Sequence, residues 1–96
     1  MSILVRIQQA PGKNLGSYDL RVLFKEICRL KQGDLDAIVS TLDTTKMSAM
    51  EILAVIRYST IRMSEGPAKV FANRCYSALK ALGENPDSLL RGIPLC

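Results

Sequence analysis

The stretch SAMEILAVIRYSTIRM, residues 48–63, settles the fold class. Ser48 followed by Glu51 is a capping box: the hydroxyl accepts from an amide of the first turn, and the carboxylate reaches back to the amide of the cap. Behind that start signal, Ala49, Met50, Ile52, Leu53, Ala54, Val55, Ile56, Ile61 and Met63 point in nearly every direction around a helix axis. A helix that is apolar all round must be covered all round. In a domain of short helices, a few neighbours can hardly bury every face of one member. The segment is therefore either the central core helix or partly an interface with a second subunit or a partner, since an exposed apolar face of that size is unusual on a monomer. Met50, Ile52, Leu53, Val55 and Ile56 are the candidates for such an interface.

Four further helices are predicted around it. Ser17 is a suitable N-cap, with Asp19 in the first turn where the helix dipole favours an acid. Leu20, Leu23, Phe24, Ile27, Cys28 and Leu30 then recur at helical spacing until Gly33. Asp34 caps a short helix carrying Leu35, Ile38, Val39 and Leu42. After Ser64-Glu65-Gly66, Pro67 stands as a first-turn proline of a helix over 67–82, ended by Gly83. Asn85-Pro86-Asp87 opens a last short helix that stops near Gly92.

Residues 1–16 read differently. Ile3, Val5 and Ile7 alternate with Leu4, Arg6 and Gln8 as in a strand, and Pro11, Gly12 and Gly16 then break the chain. With no second strand in the sequence, this segment lies extended on the helices, pairs with its copy in another subunit, or stays a disordered terminus. Ile3, Val5 and Ile7 join the candidate interface. The expected fold is all-α: one small domain, a bundle of four to five short helices over 17–96, with an N-terminal extended arm or strand over 1–16.

Thirteen Lys and Arg against nine Asp and Glu give a net charge of +4, which favours nucleic acid or an acidic protein as partner but is also an ordinary way to stay soluble. The cations form two stripes. Arg21, Lys25 and Arg29 repel one another along one face of the first long helix, a face that is either solvated or offered to an acidic partner or a nucleic-acid backbone. Lys69, Asn73, Arg74, Tyr76 and Lys80 line one side of the helix 67–82, where no acid lies between Glu65 and Glu84. The short turn between this helix and the preceding one has the length of a helix-turn-helix connection. In that geometry the lysines would meet phosphate, and Asn73 could reach adenine.

Other chemistry is sparse. There is no histidine, which removes the commonest general base and metal ligand together. Asp19, Asp34, Asp36 and Asp87 stand at or near helix starts, and no phosphate-cradling glycine loop is present. No catalytic residue, metal site, cofactor or small-molecule substrate is expected. Cys28, Cys75 and Cys96 form no metal-like spacing, and an odd count of free thiols suits the cytoplasm. Cys28 and Cys75 fall in apolar stripes, whereas Cys96 is expected to be exposed. Arg6 arrives too early for a signal peptide, and no run is long and apolar enough for a membrane span.

The function expected from these residues is a non-enzymatic regulatory protein that binds a partner protein. It would be an inhibitor, adaptor or antirepressor of the kind phages encode, acting as a homo-oligomer. The alternative is a helix-turn-helix-like DNA-binding transcriptional regulator using the helix 67–82.

Overall fold

In the computed structural model, which describes residues 2–92, the chain winds into six α-helices. They are α1 (Ile3–Gln9), α2 (Ser17–Arg29), α3 (Gln32–Ser40), α4 (Ala49–Ser59), α5 (Glu65–Ala81) and α6 (Pro86–Leu89), with a 3-10 turn at Thr60–Arg62. The all-α class holds, and α2 to α6 are the five helices expected from spacing and caps. Helix α4 packs against α2 on one side and α5 on another, while α1 lies on α2, and α3 and α6 on α5.

The N-terminal arm is the correction. It is helical rather than extended, and it belongs to the core. Ile3, Leu4 and Ile7 share one helical face as readily as Ile3, Val5 and Ile7 share one strand face, so local spacing does not separate the two. A distant side chain decides. The Glu26 carboxylate of α2 accepts hydrogen bonds from the Ile3 amide (2.7 Å), the Leu4 amide (3.1 Å) and the Ser2 hydroxyl (3.2 Å), while the Ser2 oxygen accepts from the Val5 amide (3.2 Å). A carboxylate at the positive end of a helix satisfies amides that a strand start would leave unpaired. Ile3, Leu4 and Ile7 are then buried.

Glu51 plays the same part for α4. Its carboxylate accepts from the Ser48 amide (2.8 Å), completing the expected capping box, and also from the Gly12 amide (2.7 Å). The Ser48 hydroxyl accepts from the Glu51 amide (3.2 Å) and donates to the Lys13 carbonyl (3.1 Å). The loop after α1 is thereby stitched to the start of α4, with Leu15 buried beneath it. Gly12 has φ of +102°, and a Cβ there would lie 3.2 Å from the Lys46 carbonyl oxygen, so only glycine fits without strain. Ser48→Ala is expected to cost about 1 kcal/mol, as for other helix caps. A urea titration checks it, and an unmoved midpoint would show that the hydroxyl is dispensable both as cap and as loop tie.

Other helix ends are also held by charged side chains from elsewhere in the fold. Asp36 of α3 accepts from the amide (3.0 Å) and the hydroxyl (2.5 Å) of Ser64, fixing Ser64 as the cap of α5. That is why α5 starts at Glu65, ahead of Pro67. The Arg74 guanidinium donates to the Ser40 carbonyl (3.3 Å) and to the Leu42 carbonyl at the end of α3, and Arg62 donates to the Cys28 carbonyl (3.0 Å) near the end of α2. Other expected boundaries move as well. Gly16 rather than Ser17 is the cap of α2, with its amide held by Asp19 (3.3 Å), and Gly33 lies inside α3, so that Lys31 rather than Asp34 is its cap.

The core gathers around α4. Ile52, Val55 and Ile56 are fully buried among Leu23 and Ile27 of α2, Leu35 and Val39 of α3, and Phe71, Cys75 and Leu79 of α5. Of residues 48–63, Ile52, Val55 and Ile56 are thus covered by the chain's own helices, whereas Met50 and Ile61 stay exposed.

Candidate binding surfaces

Burying Leu23 and Ile27 turns the opposite side of α2 to solvent, and that side carries Arg21, Lys25 and Arg29. Each is one turn beyond the last, with a rise of about 6 Å. The ion pairs among the described residues are Arg6–Asp19 (3.5 Å) and Lys69–Glu65 (2.9 Å), so the α2 ridge has no acidic partner there. Exposed rings flank it: Tyr18 is 75% exposed and Phe24 50%. Phe24 meets Tyr58 edge-on, with ring centroids 5.2 Å apart, and Ile61 beyond it is 69% exposed.

The ridge runs into a groove of about 450 Å³ between α1, α2 and α3, lined by Ser2, Leu4, Val5, Glu26, Arg29, Leu30 and Ile38. Arg29 belongs to both features. A second groove, of about 540 Å³, runs along α5 beside Thr44 and Thr45 and is lined further by Asn73, Arg74, Ser77, Ala78, Ala81 and Leu82. Much of its polarity is already engaged. Arg74 holds the end of α3, and the Thr45 hydroxyl donates to Asp43 (2.5 Å). That hydrogen bond, with the positive charge of Lys46 and Arg74, holds the Asp43 carboxyl below the usual carboxylate range.

The structure splits the two sets of predicted site residues. Ile3, Ile7, Ile52, Val55 and Ile56 are in the chain's own core and offer nothing to a second molecule. Val5 and Leu53 are half-buried, Val5 at the α1–α2–α3 groove, and Met50 is 45% exposed. The α5 stripe brings Asn73 and Arg74 together but gives acids to Lys69 and Tyr76. Lys69 pairs with Glu65 on the surface, where such a pair is worth little. The Tyr76 hydroxyl lies 3.4 Å from Asp87, whose charge raises the phenol's pKa. Lys80 is exposed. Glu65 and Asp36 both sit at the N-terminus of α5, the end that would enter the major groove, and put negative charge there. The α2 ridge meets no such opposition.

Cys75 lies in the core, where burial pushes its thiol up to about 12, so it stays protonated and unreactive at neutral pH. Cys28 is exposed rather than part of the apolar stripe, and Cys96 lies outside the described residues. Among the described residues no group of three or more His, Cys, Asp or Glu side chains could hold a metal ion, and no helix is long and apolar enough to cross a membrane. The contributions of Leu30 and Ile38 have no signal in sequence, because the groove exists only once α1 has docked on α2. No family model, curated protein or solved structure matches the chain.

Proposed function

We propose that the chain is a non-enzymatic regulatory protein that binds an acidic face of a partner protein through α2. One observation carries this: Arg21, Lys25 and Arg29 stand in a row on the outside of α2, without an acidic neighbour in ion-pair range among the described residues and with exposed rings beside them. The basic stripe of α5, by contrast, is partly spent on a helix end and an ion pair. Unopposed positive charge speeds encounter with an acidic partner, and exposed rings supply contact area once it has arrived. Ile3, Ile7, Ile52, Val55 and Ile56, expected at a self-association face, are buried in the chain's own core, so the proposal rests on α2 and does not require an oligomer.

The test is the triple variant Arg21→Glu, Lys25→Glu, Arg29→Glu. All three side chains are exposed, so each change should alter folding by no more than about 0.5 kcal/mol. Affinity capture from the native host, quantified by mass spectrometry, should show the specific partner depleted at least about tenfold for the variant, since close charge pairs couple by about 1.5 kcal/mol or more. Undiminished capture would remove α2 from the reading. A labelled DNA duplex at near-physiological salt should give a flat titration. Sequence-selective binding tighter than about 1 µM, beyond the non-specific range, would favour the DNA-binding alternative.

A further inference from the structure

Resting on α2 as the binding face, we infer that the partner's docking segment is an acidic peptide with one large apolar anchor, seated in the groove between α1, α2 and α3. The lining of the groove specifies the anchor. Leu4, Val5, Leu30 and Ile38 are aliphatic, and the two remaining members besides Arg29 are already engaged. Glu26 takes the Ile3 and Leu4 amides and the Ser2 hydroxyl, and the Ser2 oxygen in turn takes the Val5 amide. What the groove offers an occupant is apolar contact, in a space of about 450 Å³, within the range of pockets that hold ligands.

The rim specifies the flank. Arg29 stands at the mouth, and Lys25 and Arg21 follow at successive turns, so a chain leaving the groove along α2 meets a positive charge about every 6 Å. Glu26 does not cancel that charge. Its carboxylate is turned to the amides of α1 and makes no ion pair with Arg29. An apolar anchor with charged neighbours at the edge of its groove is an arrangement in which a few residues carry most of the binding energy. A nucleic-acid strand fits worse. Its phosphates would suit the ridge, but a base seated in the groove needs an aromatic platform, and the lining holds no ring.

The probes are four: a 15-residue glutamate-rich peptide with one central phenylalanine, the same peptide with that residue as serine, its lysine-for-glutamate counterpart, and a 15-nucleotide single-stranded oligothymidylate. Binding is followed by the backbone amide signals of the full chain, which locates the contact without disturbing α1. The acidic phenylalanine peptide should shift the amides of Leu4, Val5, Leu30 and Ile38, and should bind at least about fivefold tighter than the serine peptide, as for burial of one side chain of that size. Arg29→Glu should weaken it by a similar factor, and the lysine peptide should not bind. Equal affinity of the two acidic peptides, or shifts confined to Arg21 and Lys25, would overturn the anchor while leaving α2 as the binding face. Oligothymidylate binding at α2 with the acidic peptides silent would overturn the inference in favour of a nucleic-acid backbone, and silence of all four probes would overturn it outright. Peptide binding at the groove combined with undiminished partner capture by the triple variant would uphold the groove and sink the proposed function instead.

Discussion

Glu51→Ala is expected to cost about 3 kcal/mol, well beyond the loss of an ordinary helix cap, because it strips a buried acceptor from two amides at once. The side chain is 1% exposed, and one of its oxygens receives both the Gly12 amide at 2.7 Å and the Ser48 amide at 2.8 Å. Neither donor turns readily to another acceptor of the fold. Gly12 is pressed close to the Lys46 carbonyl at a φ only glycine tolerates well, and Ser48 needs its present conformation for its hydroxyl to reach the Glu51 amide. In a domain of this size the melting temperature should fall by about 12–20 °C. Glu51→Gln keeps an acceptor but adds donors and loses the charge facing the helix dipole, so its loss should be intermediate, about 1–2 kcal/mol. Urea denaturation followed by circular dichroism gives both values, and amide exchange at Gly12 and Ser48 should quicken in the alanine variant. A loss no larger than that of Ser48→Ala would mean that the carboxylate acts only as a local cap and does not tie the loop to α4.

The same residue shows what sequence could and could not reveal. The Ser48–Glu51 pairing is local, three positions apart, and so is the periodicity that gives α2 to α6. The bond from Gly12 to Glu51 spans 39 positions and leaves no trace in spacing. Glu26 on α1, Asp36 on Ser64 and Arg74 on the Ser40 and Leu42 carbonyls are of this second kind. Each makes or fixes a helix end that local signals misplace or leave ambiguous, and α1 is the largest instance. Charges therefore divide into two classes that look alike in sequence. Arg74 and Lys80 both read as members of one basic stripe, yet Arg74 folds back onto α3 while Lys80 stays in solvent. The ridge of Arg21, Lys25 and Arg29 was readable because it needs only a helix and a known buried side. The groove beside it needs three helices in place.

Ile56→Ala should cost about 3–4 kcal/mol, the usual range for truncating a large aliphatic side chain in a well-packed core. Ile56 is fully buried, as are Ile52 and Val55, and α4 packs against α2 and α5 of the same chain. That origin makes the prediction sharper than a loss of stability alone. If the apolar surplus of residues 48–63 were covered by a second subunit, the substitution would act through association, and the drop in melting temperature would depend on protein concentration. With the cover supplied intramolecularly, the drop should be the same at about 10 µM and about 200 µM. Met50→Ser supplies the contrast. Met50 lies on the same helix but is 45% exposed, so its loss should stay within about 0.5 kcal/mol. A concentration-dependent effect of Ile56→Ala, or a large effect of Met50→Ser, would return α4 to an interface between copies. The expected pair, a large constant loss at Ile56 and almost none at Met50, fits a helix apolar on nearly every side because its own chain surrounds it.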